Sequence, residues 1–275
     1  MQKRRKRVIP GFGLSMGVTL TFLSVIVLIP MASIVISTAG MPSQDFWGVI
    51  ASKRLLAGYR VSFSSALIAA LINAFFGVIL AWVLVRYDFP GRRFLDGVIE
   101  LPFALPTAVA GISLTSLYSQ EGWFGRLFAK AGIDVSYTQL GIIIAMTFIG
   151  VPFVVRAVQP VLEKLDGQYE EAAEMLGAGR VQTFFRVIFP ELLPAVLTGF
   201  GLAFARALGE YGSVVFIAGN TPYKTEIVPL LIMSKLQQFD YAGATAIALV
   251  MLIASFLILL FINTVQLVAG KKTQE

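Results

Sequence analysis

The chain's 275 residues are 57% hydrophobic and 14% charged, too sparsely charged for a water-soluble domain, which points to an integral membrane protein. It contains neither cysteine nor histidine, which excludes disulfides, thiolate metal sites and nucleophile–histidine hydrolase chemistry. The net charge of +6 resides in Lys and Arg clustered between apolar runs, as in topology determinants rather than a nucleic-acid surface.

The basic cluster Lys3-Arg4-Arg5-Lys6-Arg7 precedes an apolar run from Leu14 to Ile36. At about 1.5 Å per residue the run reaches roughly 34 Å, long for a signal peptide and sufficient for a first membrane helix. Further spans are predicted at 61–85, 98–118, 138–158, 193–217 and 242–268. This gives an all-α integral membrane protein of six transmembrane helices, with a basic N-terminus (1–13), a transmembrane region (14–268) and a short tail (269–275). Between the first two spans, Phe46, Trp47, Ile50 and Leu55 suit an interfacial segment.

With the N-terminus inside, one side of the membrane carries the first five basic residues, Arg86, Arg92, Arg93, Arg156, Lys164, Arg180, Arg186, Lys271 and Lys272, fourteen in all. The other side carries seven: Lys53, Arg54, Arg60, Arg126, Lys130, Lys224 and Lys235. The positive-inside rule then places both termini in the cytoplasm. Pro102 and Pro106 predict a kinked or broken start to the third span, Pro152 a bend in the fourth and Pro160 its end.

The stretch 166–190 stands apart, being charged and patterned. Tyr169, Ala172, Ala173 and Leu176 share one helical face, with Glu170, Glu171 and Glu174 off it. Gly177 and Gly179 interrupt, after which Val181, Phe184, Phe185 and Ile188 repeat the spacing and Pro190 is expected to stop the second helix. Two helices this short need a partner surface.

Glu171-Ala172-Ala173, three residues, Gly177, nine residues, then Val187, Phe189 and Pro190 resembles the EAA loop of ABC importer permeases. The family pattern EAA-x3-G-x9-I-x-L-P is matched apart from Val for Ile and Phe for Leu. The resemblance extends along nearly the whole chain to the sulfate/thiosulfate importer permeases, through Leu101–Gly111, Arg206–Gly212, Ile217–Asn220 and Phe239–Tyr241. Ile9–Phe12 and Lys224–Ile227 look more like the T-type than the W-type subunit.

The resemblance implies a type I ABC importer permease. Its partners would be two cytoplasmic ABC ATPase subunits, a second, W-type permease subunit and an external sulfate/thiosulfate-binding protein, with membrane lipid around it and no nucleic acid. Glu170, Glu171, Ala172, Ala173, Leu176, Gly177, Phe184, Phe185 and Pro190 would form the ATPase docking site. The chain has no G-x-x-x-x-G-K-[S/T] stretch, so it carries no cofactor itself and ATP would sit on the partner ATPase. Molybdate permeases share the Arg206–Glu210 stretch, which leaves the oxyanion open. A secondary anion transporter acting alone is the competing class.

Arg206 and Glu210, four apart in the fifth span, each cost about 2.5–3.5 kcal/mol on membrane-insertion scales and must face protein or a wet pathway. Together with Ser213 they are the candidate translocation residues. An ion pair that only ties helices together is the alternative.

Overall fold

The computed structural model describes residues 12–272. The basic Lys3–Arg7 cluster lies outside the described residues. Among the described residues all regular structure is helical. In chain order the helices are α1 (Phe12–Ala39), α2 (Ser43–Ile50), α3 (Lys53–Arg86), α4 (Arg92–Ala104), α5 (Thr107–Tyr118), α6 (Trp123–Lys130), α7 (Gln139–Lys164), α8 (Gln168–Met175), α9 (Arg180–Leu208), α10 (Val214–Ile217), α11 (Val228–Gln237) and α12 (Tyr241–Lys272). Five are long and apolar enough to cross a bilayer, or six when α4 and α5 count as one broken span.

That break arises at Leu105-Pro106. Proline disfavours a helical residue before it, Leu105 is extended at φ −83° and ψ 135°, and the axis turns by 113° into α5. The two halves are each about 18–20 Å long, too short to cross a hydrocarbon core of about 30 Å alone.

Other prolines are carried inside helices. Pro160 does not close the fourth span, because α7 continues to Lys164. Nor does Pro190 end the loop's second helix. Phe184–Ile188 forms a π turn in which the Phe189 amide donates to the Phe184 carbonyl, and the helix runs on to Leu208. The same arrangement occurs in α1, where the π turn Ser24–Leu28 precedes Ile29-Pro30. Proline removes one i→i−4 bond and its ring crowds the carbonyl four residues back. A widened turn just before it accommodates both effects without breaking the helix.

The core is the packing of α3, α7 and α9 on one another. Lipid is as apolar as leucine, so close contact rather than water exclusion drives this association. Small residues permit it: Ala66, Ala69, Ala70, Ala145, Ala203 and Ala207 are almost wholly buried. Gly199 lies where a Cβ would fall 2.7 Å from the Val154 Cα. α12 packs on α9, α11, α2 and the C-terminal half of α1.

α3 is about 50 Å long, so its termini mark opposite ends of the bundle. At the Lys53 end, the Arg54 guanidinium grips the Glu226 carboxylate through Nε (2.8 Å) and Nη2. The Ser62 hydroxyl accepts the Val228 amide at 2.8 Å, satisfying a first-turn donor of α11. Asp240 accepts from Lys235 Nζ at 2.7 Å and from the Gly243 amide at 2.8 Å. These two bonds, the lysine's first, hold its carboxyl below the usual carboxylate range.

Candidate functional site

At the Arg86 end, α8 and the start of α9 form the helix–elbow–helix. The Gly177 amide donates to the Glu174 carbonyl (2.9 Å) and the Ala178 amide to the Ala173 carbonyl (3.0 Å). This is the Schellman closure of α8, and it requires a left-handed residue at its centre. Gly177 supplies that residue at φ +82°, with nothing within 4 Å of an added Cβ. The glycine is therefore needed for its backbone angle and not for space. Gly177→Val is expected to cost at least about 1–2 kcal/mol locally, loosening the elbow while the bundle stays folded. Faster proteolysis at residues 175–180 with unchanged membrane abundance would show this, and equal proteolysis would refute it.

α8 does not turn its apolar face into its own bundle. Ala173 is buried and Ala172 is not, Tyr169 is exposed, and Met175 and Leu176 are 85% and 89% exposed. Val181 and Phe185 are also exposed. Glu171 stands in solvent and Pro190 is partly covered within α9.

Phe184 points inward and meets the Trp82 ring edge-on, centroids 5.5 Å apart. Over the same indole lies the Arg86 guanidinium, 5.5 Å from the ring centre. Its Nη2 is 2.7 Å from Glu170 Oε1. Both atoms are sealed from solvent, and their contact is a charge contact without hydrogen-bond alignment. Trp82 and Arg86 thus clamp the elbow to the end of α3 from both helices. Sequence reading missed this pair. Its only local trace is a Trp and an Arg four apart at the end of a span, facing a loop with three glutamates.

The second polar centre lies at the far end of α9. Arg206 and Glu210 do pair (Nη1 to Oε2, 2.6 Å), but not on one continuous helix, as α9 stops at Leu208. The chain turns at Gly209, and Glu210 folds back so that its carboxylate also accepts the Ser213 amide (2.8 Å) and hydroxyl (2.9 Å). Glu210 is 1% exposed, and three donors satisfy its buried charge. Arg206 remains about one-third exposed, with guanidinium donors beyond the one given to Glu210.

The irregular turn 209–213 packs on the start of α5. A Cβ on Gly111 would fall 2.4 Å from the Ser213 carbonyl oxygen, and one on Gly212 would fall 2.1 Å from Thr107 Oγ1. The two interrupted stretches of the chain thus cover each other, as non-helical backbone at membrane depth requires. A further cluster ties α4 to α7: Arg156 donates to Asp96 (2.8 Å), Glu100 (2.6 Å) and Gln159 (2.6 Å).

Residues 73–274 match the family described as binding-protein-dependent transport system inner membrane components. The chain belongs to this family. The match covers α3 from its middle onward, the elbow and the Arg206–Glu210 turn. Among its relatives, the sulfate transport system permease protein CysT of Escherichia coli (strain K12) is 51% identical over 267 residues, covering 97% of this chain and 96% of the relative. A solved bacterial ABC transporter involved in the import of the acidic polysaccharide alginate shares the fold, with TM-score 0.75 and 16% identity over 93% of this chain and 95% of that one. The alginate transporter solved in complex with an alginate pentasaccharide-bound periplasmic protein superposes with TM-score 0.74 and 18% identity, over 91% and 92% of the two chains. This inner membrane component is accordingly a permease of the CysT type, a transport subunit and not itself an enzyme.

Proposed function

We propose that this chain is the membrane-spanning permease of an ATP-driven importer that carries sulfate and thiosulfate into the cytoplasm. The observation that carries the reading is the 51% identity, along almost the full length of both chains, to a sulfate transport permease. Two ATPase subunits dock on the cytoplasmic elbow, where Met175, Leu176, Val181 and Phe185 offer exposed apolar surface beside the glutamates of α8. A second, W-type permease completes the membrane unit, and an external sulfate/thiosulfate-binding protein delivers the anion. Arg206, Glu210 and Ser213 lie on the anion's route.

Uptake of radiolabelled sulfate, thiosulfate and molybdate by the co-purified complex in liposomes tests the reading. Sulfate or thiosulfate entry that requires ATP on the ATPase side is expected. Preferential molybdate entry would overturn the substrate, and entry without ATPase subunits would overturn the class.

The reading also places the elbow and both termini in the cytoplasm. Gly167→Cys and Thr221→Cys, in this cysteine-free chain, are expected to label from opposite faces. Impermeant maleimide should reach position 221 in intact spheroplasts and position 167 only after permeabilisation; labelling of 167 in intact cells would reverse the topology.

A further inference from the structure

At the Lys53 end of the bundle, opposite the elbow, α2, the start of α3, α11 and α12 line an open cavity of about 310 Å³. Arg54 and Lys235 line it, and among the described residues no aspartate or glutamate does. Their carboxylate partners Glu226 and Asp240 sit off the wall, fixing the two cations without occupying the space in front of them. Arg54 gives Nε and Nη2 to Glu226 and keeps Nη1; Lys235 gives Asp240 one of its three ammonium donors.

The rest of the lining is amphiphilic. Gln238 adds a polar group, while Val49, Leu231 and Ile247 form an apolar wall. α2, which borders the cavity, exposes Trp47 (63%) beside Phe46, as a helix at the headgroup level does. A hydrated inorganic anion gains nothing from an apolar wall. A phosphodiester attached to acyl chains uses both sides of the cavity.

We propose that this cavity binds the phosphate of an anionic phospholipid, clasped between Arg54 and Lys235 with its first methylenes against α11 and α12. A free tetrahedral oxyanion from solution is the other source of the same chemistry. The site is independent of the transport assignment, and its test does not read uptake.

The test is native mass spectrometry of the purified transporter complex exchanged into phosphatidylglycerol or phosphatidylcholine, with and without added inorganic sulfate. The wild type is expected to retain about fivefold more phosphatidylglycerol than phosphatidylcholine. Gln238→Glu places a carboxylate on the wall, three residues from Lys235 and within reach of its ammonium. It is expected to reduce phosphatidylglycerol retention about fivefold and leave phosphatidylcholine unchanged. Lys235→Gln should act in the same direction, whereas Lys224→Gln in the nearby exposed loop should not. Sulfate displacing the lipid from the wild type would keep the oxyanion site and add solution as a source. Equal retention of the two lipids, or equal phosphatidylglycerol retention by wild type and Gln238→Glu, would overturn the proposal.

Discussion

Arg86→Met is expected to uncouple ATP hydrolysis from uptake while leaving the permease folded in the membrane. The substitution removes a charge contact that is largely buried, 23% and 33% exposed on its two sides, and the cation above Trp82. Together these are worth about 2 kcal/mol, a factor of roughly thirty in how often the elbow leaves the end of α3. The bundle core of α3, α7 and α9 does not depend on this clamp, so abundance should stay within about twofold. The ratio of sulfate transported to ATP hydrolysed should fall tenfold or more. Arg86→Glu combined with Glu170→Arg should recover much of that ratio, because the swap restores the charge pair with its sign inverted. A merely structural Arg86 would lower abundance and leave the ratio intact, and that result would sink the coupling role.

The second large effect is expected at Arg206 and Glu210. Arg206→Met strands the Glu210 carboxylate in a site that is 1% exposed; removing one partner of a buried pair costs about 3–5 kcal/mol. Little folded permease should reach the membrane. Arg206→Met with Glu210→Leu removes both charges and should restore folding. If the pair lies on the anion route, the folded double variant will not transport, since a guanidinium offers a sulfate dianion planar paired donors that no apolar group replaces. Arg206→Lys should likewise fold yet lose most uptake. Membrane abundance and sulfate uptake measured side by side decide the matter, and wild-type uptake by the double variant would falsify the route assignment.

The long apolar helices were legible because hydropathy over some twenty residues is a local property of the chain. So was the elbow, since Gly177 interrupts two periodic faces and a left-handed closure has few other residues to use. The proline punctuation was misread at Pro160 and Pro190. A proline reports a missing donor, but whether the helix stops or widens into a π turn depends on what packs around it. The Arg206–Glu210 pair was visible as spacing, yet spacing alone implied one helix face. The end of α9 at Leu208, the fold-back of Glu210 and the seal made by α5 are tertiary facts. Arg86 with Glu170, Arg156 with Asp96 and Arg54 with Glu226 lie far apart in the chain, and no periodicity announces such pairs.

The continuity of α9 from the elbow to Leu208 has a mechanical consequence. The helix begins at the elbow, absorbs Pro190 in its π turn and ends at Leu208, two residues beyond Arg206, a length of about 42 Å. A tilt of about 4° at one tip swings the other by roughly 3 Å. Glu210 lies two residues past that far tip, in the turn whose Ser213 is seated on the backbone of α5 at Gly111. Through Glu210 and Ser213, the helix that starts at the elbow is joined to the broken span by three residues of chain and two hydrogen bonds.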